Sequence, residues 1–255
     1  MMLEVQGLSR HFGGVAAVQD VSFSVREGDV HAVIGPNGAG KTTLFNLISG
    51  VYAPSAGAIL LDRKPVGGLA PEQLARRGVS RTFQNLQVCM NMTACENVML
   101  GAHLRQHAGL LAGLFGWTRA ADRRLAQDAL GWMEMAGVGA YAAHHASQLS
   151  FGVLKRLEIA RALASEPRLL LLDEPAAGLN DSETAELTRL IRRIADSGIT
   201  ILLVEHDMRL VMEVSNRILV LDHGRRLAEG SAQEIRADEK VIQAYLGAED
   251  VSHAE

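Results

Sequence analysis

The sequence predicts an α/β fold with an N-terminal antiparallel β part and an inserted α-helical subdomain. Three observations carry that prediction. Apolar runs of strand length, "VHAVIG", "RLLLLDE" and "ITILLVEHD", end in glycine, acidic residues or histidine. Such runs fit parallel strands buried on both faces, with function at their carboxyl ends. The first of them leads into a glycine loop and then a helix, "PNGAGKTTLFNLISG". From about Leu86 to Leu149, by contrast, no buried-strand pattern appears and helical periodicity takes over.

The elements follow in order. The N-terminal part reads as short strands. "VSFSV", Val21 to Val25, alternates, and Gly28 and Asp29 mark a turn. "GAILLD", Gly57 to Asp62, is a further strand. "PEQLARRG" is a short helix opened by Pro71 and stopped by Gly78. In the middle, Arg119 to Gly137 is an amphipathic helix. The apolar "GLLAGLFGW", Gly109 to Trp117, precedes it and reads as a hydrophobic hairpin packed on that helical insert, with a contact surface for a membrane partner as the alternative. In "LSFGVLKRLEIARAL", Ser150 and Gly152 stand at a helix start. Lys155, Arg156 and Arg161 are expected to form that helix's solvated face. "DSETAELTRLIRRIADSG" is a helix capped by Asp181 or Ser182 and stopped by Gly198. "RILVLDHGRRLAEG" is a hairpin turning near His223 and Gly224, and "KVIQAYLG" a final short helix, with "AEDVSHAE" expected to fray. One domain is expected, its core built from residues 1–85 and 160–255 and its helical insert from 86–159.

Composition narrows the classes. The chain has 255 residues, 48% of them hydrophobic, enough for a sizeable core. A net charge of −4 argues against bulk attraction to nucleic acid. The apolar runs fall far short of the ~20 residues a membrane span needs. Glu4 stands where a secretory leader would be apolar, so none is expected. Cys89 and Cys95 lack metal or redox spacing and read as reduced thiols in a cytosolic setting.

The chemistry concentrates in a few motifs. "GPNGAGKT" matches the phosphate-loop pattern G-x-x-x-x-G-K-[ST] in full, which points to a P-loop nucleotide-binding core. Gly35, Pro36, Asn37, Gly38, Ala39 and Gly40 curl the backbone so that N–H groups face one phosphate. Lys41 adds charge at the β- and γ-phosphates, Thr42 offers its hydroxyl to Mg²⁺, and Thr43 follows in the helix start. Asp173 at a buried strand end suits a water-mediated hold on Mg²⁺, and Glu174 beside it suits polarising the attacking water. Three residues stay open on the residues alone. His206 is either structural or a γ-phosphate contact delivered by the strand next to that of Asp173. Gln84 in "RTFQN" is either a surface amide or a ligand of water and Mg²⁺. Phe12 before its Gly-Gly turn is either core or an adenine-stacking face. The helix start at Ser150 is a second anion site in a chain that already has one.

The order of phosphate loop, "RTFQ", "LSFG", "LLLLDEP", "AAGLN" and "EHD" resembles the ATP-binding subunit of ABC transporters over almost the whole chain. "RTFQNLQVCMNMTACENVMLGAH", the "GLLAGLFG" insert, "EHDMRLVMEVSNRILVLDHG" and the final "AYLGAE" narrow the resemblance to the LivG-like subunit of LIV-type importers. That resemblance implies a RecA-like P-loop NTPase core, with ATP and Mg²⁺ as cofactors. It makes Glu174, His206 and Gln84 catalytic, and Thr42, Gln84 and Asp173 the metal-binding set. Phe12 becomes the adenine stack, and Ser150, Phe151, Gly152 and Val153 the signature aimed at a partner's ATP. It further implies a second ATPase subunit, identical or different, two membrane permease subunits, a periplasmic solute-binding protein acting indirectly, no nucleic acid, and a peripheral position on the cytoplasmic face of the inner membrane. The solutes implied are branched-chain amino acids or related small polar molecules. A lipopolysaccharide-type exporter ATPase, a soluble ABC protein and a P-loop kinase are the rivals. Two departures stand out from the common L-S-G-G-Q: Phe151 for glycine and Val153 for glutamine. Asn180 replaces the usual aspartate that follows "AAGL".

Overall fold

A computed structural model describes residues 1–82, 86–102 and 118–252. The chain opens with β1 (Leu3–Phe12) and β2 (Val15–Val25), longer than the short strands expected and joined by the Gly13-Gly14 turn. β1 also pairs antiparallel with β4 (Ala56–Leu61), which carries β5 (Lys64–Pro65) at its outer edge. The second sheet holds β3 (Val30–Ile34), β6 (Val79–Arg81), β7 (Leu169–Asp173), β8 (Thr200–Val204), β9 (Arg217–Asp222) and β10 (Arg225–Gly230), in the order β10-β9-β3-β8-β7-β6. All are parallel except the edge strand β10. The apolar runs of β7 and β8 serve two cores. Leu170, Leu172, Ile201 and Leu203 join the helical layer, while Leu169, Leu171, Leu202 and Val204 face the first sheet. Each buried leucine contributes roughly 1.5–3 kcal/mol, so these short strands weigh heavily in the fold.

α1 (Lys41–Ile48) lies between the two sheets, its Leu44, Phe45, Leu47 and Ile48 in their shared core. α2 (Pro71–Ala75) leads into β6. The helical layer consists of α3 (Ala94–Gly101), α4 (Thr118–Met135) and α5 (Phe151–Leu163). Thr93 caps α3 by accepting from the Glu96 N–H, while the Glu96 carboxylate accepts from the Thr93 N–H at 2.8 Å. Buried Asn97 accepts from the Cys89 N–H at 2.7 Å and donates to the Cys89 carbonyl, pinning the approach to that helix. α6 (Asp181–Asp196), α7 (Met208–Val214), α8 (Ala232–Ala237) and α9 (Glu239–Ser252) complete the order.

Three expectations change. α6 is capped by Asn180, not by Asp181 or Ser182: its side chain accepts from the Glu183 N–H at 3.0 Å, and Glu183 returns the bond. The basic residues of α5 are not a solvated face. Lys155 is buried, Arg156 pairs with Glu186 at 2.7 Å, and Arg161 donates to the Gln87 carbonyl. The cause is packing: α5 is wrapped by the other helices and the sheet, so it has no broad polar side. The last helix runs on to Ser252, through residues expected to fray. Gln84 and the stretch from Gly109 to Trp117 lie outside the described residues.

Candidate active site

The phosphate loop joins β3 to α1. Gly35 and Gly40 have φ of 150° and 98°. A side chain at either would run into backbone, the Leu221 carbonyl at Gly35 and the Ala17 carbonyl at Gly40, so the curl requires glycine at both. Gly40 is the N-cap of α1 without a side-chain capping bond, and no acidic residue stands in the first turn. The positive helix end is therefore turned toward the loop with its N–H groups uncovered by a side chain. Lys41 donates through Nζ to the Gly35 carbonyl at 2.6 Å and the Pro36 carbonyl at 2.9 Å. Burial lowers its pKa from the ordinary lysine value, and the Glu174 carboxylate opposes that shift.

A cleft of about 530 Å³ opens over this loop, from Asn37 to Thr43, with Glu174 on one side and Ala17, Gln19 and Gly224 on the other. The β9–β10 turn is laced into it: the Gly224 N–H donates to the Ala39 carbonyl at 3.1 Å, and the Gln19 N–H to the Gly224 carbonyl at 2.7 Å. Phe12 stands outside the cleft lining. Its ring meets Tyr52 edge-on at 5.2 Å and carries the Arg10 guanidinium at 4.6 Å, while Val15, its partner across the hairpin, lies in the lining.

β7 delivers Asp173, buried, into a 2.7 Å ion pair with Arg81 of β6. Glu174 leaves the strand at φ 47° and donates its N–H to the Val204 carbonyl at 2.9 Å. Asp173 pairs with Val204 in register, so β8 runs beside β7 as expected and carries Glu205 and His206 to the same carboxyl end of the sheet. The His206 side chain is exposed. Glu205 is sealed, and neither of its oxygens completes a hydrogen bond with the described residues. Arg81 and Glu205 were not singled out in the sequence. Their adjacency to "TFQ" and to His206 was the available signal.

Ser150 is the N-cap of α5 but makes no side-chain capping bond, and it is exposed. Gly152 and Val153 are buried, Val153 within the helical core. Phe151 packs under Gly178, where an added Cβ would stand 3.0 Å from the ring, and Lys155 lies 5.7 Å from the ring centre. None of these four residues lines the Lys41 cleft. The chain therefore brings together Lys41, Thr42 and Glu174, and keeps the second helix start apart.

Residues 18–177 match the family model described as ABC transporter. This chain belongs to the ABC transporter family. The cassette's residues 225–251 match a second model, Branched-chain amino acid ATP-binding cassette transporter. It is 46% identical over 251 residues to the high-affinity branched-chain amino acid transport ATP-binding protein LivG of Salmonella typhimurium, spanning 96% of this chain and 98% of that one. The LIV-type likeness read from the motifs is thus borne out. An ATP-binding cassette of an ABC transporter in its ADP conformation superposes with a TM-score of 0.84 at 30% identity, over 96% of this chain and 98% of that one. A dimeric bacterial ABC transporter cassette gives 0.77 at 26%, over 91% and 99%.

Proposed function

We propose that this cassette is the ATP-hydrolysing subunit of an ABC importer for branched-chain amino acids or related small polar solutes, driven by nucleotide-dependent closure of a dimer. One observation carries the reading: the chain has two anion-ready helix starts, at Lys41 and at Ser150, that do not share a cleft. Pairing with a second cassette gives each a use. The dimeric relative supports that arrangement, and the likeness to LivG supports the solute class.

In this reading residues 35–43 hold the ATP phosphates through backbone N–H groups and Lys41, and Phe12 sits near the base. A divalent cation fits the donors available. Mg²⁺ takes one or two carboxylates with substrate phosphates rather than a protein cage, and the described residues hold no cluster of three or more His, Cys, Asp or Glu. Thr42, Asp173 and Gln84 would hold Mg²⁺, which supplies charge for the phosphoryl oxygens. Glu174 would take the proton of the attacking water, and His206 would hold the γ-phosphate side of that water. Ser150 and the Gly152 N–H would meet ATP held by the partner cassette, with Phe151 and Val153 seating that segment. The remaining partners are two permease subunits and, through them, a periplasmic binding protein, at the cytoplasmic face of the membrane. No helix among the described residues is long and apolar enough to cross it. A groove of about 290 Å³ lined by Val51, Leu74, Arg81, Gln87, Glu158 and Arg161 opens between the core and the helical layer. It suits a permease segment that would feel closure.

The test is Glu174→Gln. With ATP the variant should elute as a dimer and hydrolyse at least a hundredfold more slowly, on the order expected for loss of a positioned base. Undiminished hydrolysis would remove Glu174 from its role. Recovery of multi-span permeases with the tagged chain from membranes supports transport; recovery of ribosomes or DNA instead sinks it.

A further inference from the structure

Arg81 does more than neutralise a buried charge. Its guanidinium spans three elements. Nη2 donates to Asp173 Oδ2 at 2.7 Å, at the end of β7, while Nη1 donates to Asn46 Oδ1 at 2.7 Å on α1 and to Ser49 Oγ at 2.7 Å just past that helix. The Phe45 ring lies 5.8 Å away; Asp173 is buried and the Arg81 side chain is only 9% exposed. α1 begins with Lys41 and Thr42, so one cation fixes the far end of the helix that carries Thr42 to the strand end that carries Asp173. It does so from β6, the strand leading into residues 83–85.

We propose that Arg81 is a positioning residue for the divalent cation that accompanies ATP: by holding Asp173 through Oδ2 and anchoring it to α1, it sets the spacing between the Asp173 carboxylate and the Thr42 hydroxyl and leaves the other carboxylate oxygen to the cation. The inference rests on the nucleotide-site reading above. The physical case is geometric. Mg²⁺ demands near-ideal octahedral placement at ~2.0–2.1 Å, so its protein donors cannot drift. A planar fork that grips both supporting elements restricts that drift, and lysine, a single flexible point charge, cannot reproduce it. Groups that orient a metal-holding carboxylate typically control affinity by about 10–100-fold.

The experiment uses the full chain with Mn²⁺ as the cation. Mn²⁺ binding in the presence of ATP is followed by electron paramagnetic resonance. Binding of a fluorescent ATP analogue in EDTA and thermal melting are measured alongside. Arg81→Met should weaken Mn²⁺ binding by about 10–100-fold, with cation-free nucleotide affinity changed less than about twofold. Arg81→Lys should fall between it and the wild type. The double variant Asn46→Ala/Ser49→Ala keeps the charge and removes only the anchor on α1. It should weaken Mn²⁺ binding too, which decides the matter should Arg81→Met not fold. A purely structural bridge would lower the melting temperature and leave the Mn²⁺ curve in place, and that result, in Arg81→Met or in the double variant, overturns the inference. Failure of the wild-type chain to bind Mn²⁺ with ATP would instead overturn the site reading on which it rests.

Discussion

The carboxylate of Glu205 lies 3.8 Å from Nδ1 of exposed His206 while being almost wholly sealed from solvent itself. The Ala176 and His206 amides face it, short of hydrogen-bond geometry. Burial pushes its pKa from 4.5 up to about 7; His206 pulls it down and the nearby Glu174 carboxylate pushes it up. The folded protein thus holds this proton more tightly than the unfolded chain. The associated stability is fully present below pH ~4.5 and is lost as pH rises through ~7, up to about 3 kcal/mol in all. Glu205→Gln should therefore match the wild type near pH ~4 and exceed it in urea melts at pH ~8. Parallel stability curves across that range would show that Glu205 does not titrate in this way.

Val153 stands where the common signature has glutamine, and it is buried among Leu154, Leu157 and the other apolar residues of the helical core. Val153→Gln buries an amide whose partners are not built in, at a cost of about 1–3 kcal/mol. Val153→Gln should therefore lower Tm by several degrees. An unchanged Tm would mean that the side chain escapes to the surface.

What was legible in the sequence was local. The phosphate loop, the β7 and β8 runs and the His223 turn are each specified by contiguous residues, so pattern and turn chemistry suffice. The illegible parts depend on partners distant in sequence. Lys155 looks like a solvent-facing cation until α3, α4 and β6 close around α5. Arg81 gains its meaning only when β6 lies beside β7 and α1 packs beneath. Glu205 reads as one more acid after a strand, and only the packing around β8 makes it a buried one. Asn180 was passed over as cap for a simpler reason: Asp181 and Ser182 beside it are equally good cap types, and backbone geometry, not residue type, decides among them.

Asn180 gives a clean stability prediction. It forms a reciprocal capping box with Glu183 at the start of α6. Asn180→Ala should cost about 1 kcal/mol, seen as a lower urea midpoint with an unchanged slope. Asp181→Ala should cost far less, since Asp181 is not the cap. Equal losses would return the cap to the position read from sequence.

Ser150 is the counter-case. It too occupies an N-cap, but its hydroxyl makes no capping bond and faces solvent. A cap serine that caps nothing contributes little to the fold, so Ser150→Ala should leave Tm within about a degree, against the ~1 kcal/mol a working cap supplies. If that hydroxyl instead meets the γ-phosphate held by a partner cassette, the loss appears elsewhere. ATP binding to the isolated chain should be unchanged, because Ser150 does not line its own nucleotide cleft. ATP-dependent dimerisation and kcat should fall together, by about tenfold for a hydrogen bond to a charged group worth ~1.5 kcal/mol. Weakened ATP binding in the monomer would place Ser150 at its own chain's nucleotide and remove the reason for pairing two cassettes head to tail.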